Sequence, residues 1–221
     1  MPRFELNEQH DNVAIVAPGW SLEREQCQML RDNGIFSIAI GNSYKLFPEA
    51  DILYHADERW WARHLEEKLP HTGPYVSLGF HSTRKGKAYF ETCEHLGVDY
   101  LEQSEKPTGI DARPGYTVLG TNSGFHCLNM ACHARPKNIL LVGFDLKKDP
   151  REGDNFGKSH FDGDHPPGVY RISPFANFIQ WFHSSTEHLA DLGIRVYNCN
   201  YNSAMECFPK LGLEECLSKY L

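Results

Sequence analysis

The feature that most constrains the fold is an alternation along the chain: short apolar runs stop at glycine, asparagine or aspartate, and stretches with helical spacing follow them. Asn12 to Ala17 runs into Pro18 and Gly19, and Leu22 to Arg31 then has helical spacing with Ser21 near its start. Ile35 to Ile40 stops at Gly41 and Asn42, and Ala50 to Ala56 sets Ile52, Leu53 and Tyr54 between Asp51 and Asp57. Further runs at Tyr75 to Leu78, Thr117 to Leu119, Asn138 to Phe144 and Ile194 to Tyr197 are separated by helical candidates at Lys85 to His95, Gly124 to His133 and Phe175 to Leu192. Strands joined through helices pair in parallel and place those helices on the sheet's two faces. The expected class is α/β: a Rossmann-like, mostly parallel sheet with helices on both faces.

The segment Lys147 to Tyr170 breaks this pattern, being polar and rich in Gly, Asp, His and Pro. A loop of that length inside a compact fold is usually functional, and its aromatic and histidine content predicts a lid. No linker, repeat or low-complexity tract divides the chain, and 221 residues at 41% hydrophobic supply one sizeable core. A single domain over residues 1–221 is therefore expected.

No apolar stretch approaches the roughly 20 residues needed to cross a bilayer. Met1 to His10 lacks the basic flank and apolar core of a signal peptide, so the expectation is a cytoplasmic protein. The seven cysteines are odd in number and scattered, which predicts reduced, mostly buried thiols. A formal charge of −7 works against a nucleic-acid partner held by phosphate neutralisation. Oligomeric state is left open.

In an open parallel sheet ligands collect beyond the carboxyl ends of the strands. Here those ends present Ala17 to Ser21, Gly41 to Ser43, Asp57, Asn122 to Gly124, and Asp145 onward. The turn Pro18, Gly19, Trp20, Ser21 has two readings: a tight strand-to-helix turn capped by Ser21, or a cradle of backbone N–H groups for a phosphate. It matches neither a Walker loop nor a full dinucleotide fingerprint. A second turn, Gly120, Thr121, Asn122, Ser123, Gly124, precedes an apolar helix, and two such turns on one edge favour a nucleotide site.

Within the long loop, His160 and His165 lie among Lys158, Asp162, Asp164 and Tyr170, and either imidazole titrates near enough to neutrality to serve as a general base. The spacing of His126, Cys127, Cys132 and His133 does not match zinc ligand pairs, so buried thiols on a core helix are expected and no metal is assigned. Asp145 could hold a divalent ion, orient a ribose or cap the next turn. Trp60 and Trp61 read either as an aromatic wall for a sugar or base, or as core residues of a helix packed on the sheet.

These segments in this order resemble a known group: bacterial lipooligosaccharide sialyltransferases, with the related domain of archaeal 6-hydroxymethylpterin diphosphokinases, flagellin-glycosylating motility accessory factors and unassigned phage proteins. The resemblance is carried by Val13 to Leu22, Gly41 and Asn42, Asp51 to Trp61, Thr121 to Gly124 with its helix, Ile139 to Asp145, the histidine loop, and Asn198 to Phe208. For the sialyltransferases it implies a cytidine monophosphate sugar donor held by Gly19, Ser21, Asn42, Ser123 and Gly124, with Tyr170 a candidate for the donor phosphate. A loop histidine, His160 or His165, would deprotonate an acceptor hydroxyl, and no metal or other cofactor would be required. The chain departs from the group where Trp20 brings a bulky indole to the first turn.

The expected function is thus a glycosyltransferase using a nucleotide sugar and a hydroxyl acceptor, either a small molecule or a glycan. For the nucleotide, Gly19, Ser21, Asn42, Asp57, Asn122, Ser123, Gly124, Asp145 and Tyr170 are the candidate contacts. The alternatives are a diphosphokinase using ATP and magnesium on a pterin-like substrate, with Asp57 or Asp145 as metal ligands, and a binding module without chemistry.

Overall fold

The computed structural model describes residues 3–65, 69–79, 94–95, 97–152, 158–163 and 173–220. Eight strands form one sheet: β1 (Asn12–Val16), β2 (Phe36–Ile40), β3 (Ile52–Tyr54), β4 (Tyr75–Gly79), β5 (Asp99–Gln103), β6 (Tyr116–Thr117), β7 (Asn138–Val142) and β8 (Arg195–Asn198). Their order across the sheet is β6-β5-β4-β3-β2-β1-β7-β8, and every neighbouring pair is parallel. The chain therefore walks outward from β1 to one edge, then crosses back to lay β7 on β1's other side. Strand order reverses between β1 and β7, where the connections leave in opposite directions and a crevice opens.

Parallel strands are covered on both faces, and β1 shows why the sequence obeys: Val13 and Ile15 belong to one apolar cluster, Ala14 and Val16 to the other. The first cluster takes α3 (Ser123–His133), α4 (Phe175–Ser184) and α5 (Thr186–Asp191). The second takes α1 (Arg24–Asp32), α2 (Glu58–Leu65) and α6 (Leu213–Tyr220). Helix α3 is buried from Gly124 to His133, with Leu128 and Met130 in the core, because it lies between the sheet and α4. Its all-round apolar surface fits that position.

The α/β class and the helices on both faces match the expectation from sequence. Three details differ. The first helix begins at Arg24 rather than Leu22, since residues 17–22 are held in the turn by Asp145. The stretch expected as one helix from Phe175 to Leu192 is two, divided at Ser185, whose side chain donates to the carbonyl of Phe182. Strand β5 had no sequence prediction: of Asp99–Gln103 only Leu101 is fully buried, so the apolar signal is a single residue. The helix expected at Lys85 to His95 lies largely outside the described residues.

Candidate functional site at the strand-end crevice

Where β1 and β7 end, their backbones are packed against each other. Gly143 adopts φ +74, and a Cβ there would overlap the carbonyl of Ala17; a Cβ on Gly19 would overlap Gly143 and the Asp145 carboxylate. Glycine at both positions lets the turn 17–21 settle on the end of β7. Asp145, 2% exposed, then faces that turn. Its carboxylate accepts from the Ser21 amide at 3.1 Å, from the Ser21 hydroxyl, and from the amide side chain of Asn200. Asn200 also donates to Ser21 Oγ at 3.2 Å. Burial pushes the Asp145 carboxyl upward, opposed by the hydrogen bonds from Ser21. The amides that read from sequence as a phosphate cradle thus hold an anion of the chain itself.

The indole of Trp20 is turned away from this clamp: Nε1 donates to the Lys147 carbonyl at 3.1 Å, and the Arg151 guanidinium lies 5.3 Å from the ring centre. On the other side of the turn sits the histidine loop. Gly19 and His160 form an antiparallel bridge, the Phe161 amide donates to the Pro18 carbonyl at 3.2 Å, and His160 Nδ1 lies 3.2 Å from the same oxygen. A carbonyl only accepts, so Nδ1 of the half-buried His160 ring carries a proton in this contact.

The same loop is tied to the end of β2. Asn42 Nδ2 donates to Asp162 at 2.8 Å, and Lys45 Nζ reaches the same oxygen at 2.6 Å. Asn42 Oδ1 in turn accepts from Trp60 Nε1 at 2.9 Å. Trp60 is stacked between His55 and His64, with ring centres at 4.7 Å and 4.2 Å. The two adjacent tryptophans differ in setting. Trp61 is wholly buried in the core, whereas half-buried Trp60 orients a site residue and has an imidazole on each face.

The second turn reaches the same edge from the opposite face. Asn122 caps α3 by accepting from the Phe125 amide at 2.9 Å. Ser123 Oγ accepts from the amide of Ala56, just past β3, at 3.3 Å, and a Cβ on Gly124 would lie 2.7 Å from the Phe144 ring, just past β7. The N-terminus of α3 therefore spans the ends of β3 and β7, on either side of β1 and β2. Its first amides and peptide dipoles favour an anion there.

Asp57 stands apart from Asp145. It accepts from Arg59 at 3.1 Å, and although burial alone would raise its carboxyl, the contacts with Arg59 hold it below the ordinary value. Asp57 and Asp145, the two carboxylates considered for a metal, are thus each engaged by donors of the chain. His165, Asp164 and Tyr170 lie outside the described residues. His126 is buried against Tyr54, with Nδ1 at 2.9 Å from the phenol oxygen, and burial lowers it to about 4. His133 Nε2 lies 3.2 Å from the Asp111 carbonyl, and Cys132 donates to the Leu128 carbonyl, so both are part of the α3 packing.

Sequence reasoning did not find Asn200, Lys45 or the Pro18 carbonyl as parts of this site. Asn200 lay within the resembling segment from Asn198 to Phe208, the one signal that pointed to it.

An all-parallel sheet, a β1/β7 reversal and a polar strand-end crevice define an α/β protein of the Rossmann-like class. No protein-family model matches the chain, and no curated protein matches it. Among solved structures the chain is similar to a UDP-glucose 4-epimerase at 12% identity over 94% of this chain and 80% of that one, with a TM-score of 0.21. A likeness of that size carries no argument, and the class rests on the sheet itself. Among the described residues no helix is long and apolar enough to cross a membrane.

Proposed function

We propose that the protein is a glycosyltransferase that takes a sugar from a nucleotide sugar, a cytidine monophosphate sugar by the resemblance above, and passes it to a hydroxyl acceptor. The observation that carries this reading is the seating of His160 on the turn after β1, with Nδ1 fixed on the Pro18 carbonyl at 3.2 Å. That contact selects the tautomer a general base needs. In the reaction, Nε2 takes the acceptor proton, the acceptor oxygen bonds to the anomeric carbon, and the bond from that carbon to the phosphate oxygen breaks. The phosphate leaves with the electron pair. Preorganised N–H groups stabilise such a charge where it develops, and this role falls to the first amides of α3 beside Ser123 and Gly124. The chemistry needs no metal ion.

Asn42 and Lys45 act by holding Asp162, and with it the histidine loop, against the end of β2. They are positioning residues. The test is His160→Gln assayed with a cytidine monophosphate sugar and a panel of hydroxyl acceptors. A drop in kcat of about 100-fold or more at unchanged donor KM is expected from losing a general base. Unchanged kcat in the variant, or no transfer from any nucleotide sugar by the intact protein, would overturn the reading.

A further inference from the structure

Cys199 follows β8 directly, and Cys216 lies in the first turn of α6, on the face that packs against the sheet. Their sulfurs are 4.0 Å apart, the Cys199 thiol donating to Cys216, and both residues are buried. The frame around them is firm. The Cys199 amide donates to the Leu141 carbonyl at 2.8 Å, while Tyr197 stacks on Tyr220 at the far end of α6 and bonds to it at 2.7 Å. A disulfide needs its sulfurs about 2 Å apart, so about 2 Å of approach separates this thiol pair from a bond.

We propose that Cys199 and Cys216 form an oxidisable dithiol that a hydroperoxide converts to a disulfide, stapling the C-terminal helix to the sheet behind the candidate site. The hydrogen bond from Cys199 holds the Cys216 thiol below its ordinary range, and the start of a helix favours the thiolate further. Burial pushes Cys27 and Cys132 up to about 12 and Cys207 up to about 11, leaving them poor nucleophiles. The Cys216 thiolate attacks the terminal peroxide oxygen, giving a sulfenic acid as the O–O bond breaks and the alcohol or water departs. The Cys199 sulfur then displaces water from that sulfenic acid. Two thiols and one hydroperoxide thus give one disulfide, one water and one alcohol, or a second water. A small uncharged oxidant suits sulfurs this deep.

The position gives the bond a consequence. Between the two cysteines run Asn200, which donates to Asp145 and Ser21, and Ser203 and Ala204, which bond the carbonyls of Phe144 and Asp145. Closing this segment into a covalent loop restricts its freedom in the unfolded chain and fixes the wall of the crevice that holds Asp145. The inference rests on the cysteine geometry and stands whether or not the protein transfers a sugar.

The experiment treats the whole protein with hydrogen peroxide, then maps tryptic peptides without reduction and counts thiols after denaturation. Cleavage after Arg195, Lys210 and Lys219 separates Cys199 from Cys216. The expected result is a link between those two peptides, the loss of two of the seven thiols, and a rise in Tm of about 5 °C, all reversed by dithiothreitol. Cys207 shares a peptide with Cys199, so the link should persist in Cys207→Ser and vanish in Cys199→Ser. Retention of all seven thiols, terminal oxidation of Cys216 without a link, or loss of the link in Cys207→Ser would overturn the proposal. If Cys199→Ser fails to fold, the wild-type and Cys207→Ser maps decide the matter.

Discussion

The two glycine-bearing turns at the strand-end edge look alike in sequence and are used differently. In residues 17–21 the Ser21 amide and hydroxyl are spent on the buried carboxylate of Asp145, and Asn200 completes the clamp. In residues 120–124 the side chains serve the backbone: Asn122 caps α3, and Ser123 accepts from Ala56. A turn rich in amide donors attracts an anion, and the fold can supply that anion internally. The lesson is that the first turn secures β1 to β7, while the second presents a helix N-terminus to whatever binds at the edge.

Replacing Asp145 by alanine is the most severe way to break this contrast, because it removes the acceptor shared by the Ser21 amide, the Ser21 hydroxyl and the buried Asn200 side chain. A loss of about 4 kcal/mol in urea unfolding is expected. A loss below 1 kcal/mol would show that the first turn holds without its internal anion.

The pH response separates the turns next. Burial lowers His126, beneath the second turn, from 6.5 to about 4, so between those values the unfolded chain binds the proton and the fold does not. Its contribution is complete above pH 6.5 and is lost on acidification toward pH 4, by about 3 kcal/mol. Asp145 has the opposite sign. Its raised carboxyl pKa favours the fold as pH falls toward 3.8, the ordinary value for aspartate. His71 and His133 are lowered as His126 is, so the quantity to measure is the difference between wild type and His126→Gln across this range. Parallel stability curves for the two proteins would remove His126 from the account.

The smallest effect is expected from Asn122→Ala, which removes the cap of α3 at a cost of about 1 kcal/mol by chemical denaturation. A cost as large as that of Asp145→Ala would mean that the two turns carry similar structural weight.

Much of this architecture was legible in the sequence, because most strands of this parallel sheet carry their own signature: an apolar run buried on both faces. Asn12–Val16 and Asn138–Val142, which flank the crevice, show it plainly. Strand β5 escaped because its neighbours to Leu101 stay half exposed. The glycines and serines of both turns were visible as donors, but their occupants were not. Asp145 and Asn200 lie 124 and 179 positions from Ser21, and no local pattern joins them. Trp60 and Trp61 make the same point on a smaller scale: adjacent indoles on one helix point to different environments, and only packing tells the core residue from the one that orients Asn42.

The most direct test is to titrate isotope-labelled protein with cytidine monophosphate and follow the backbone amides by NMR. The account predicts that the amides of Ser123, Gly124 and His160 shift together in a saturable way, while that of Ser21 stays on the Asp145 carboxylate. Unmoved spectra at millimolar nucleotide, or shifts confined to residues away from this edge, would contradict it.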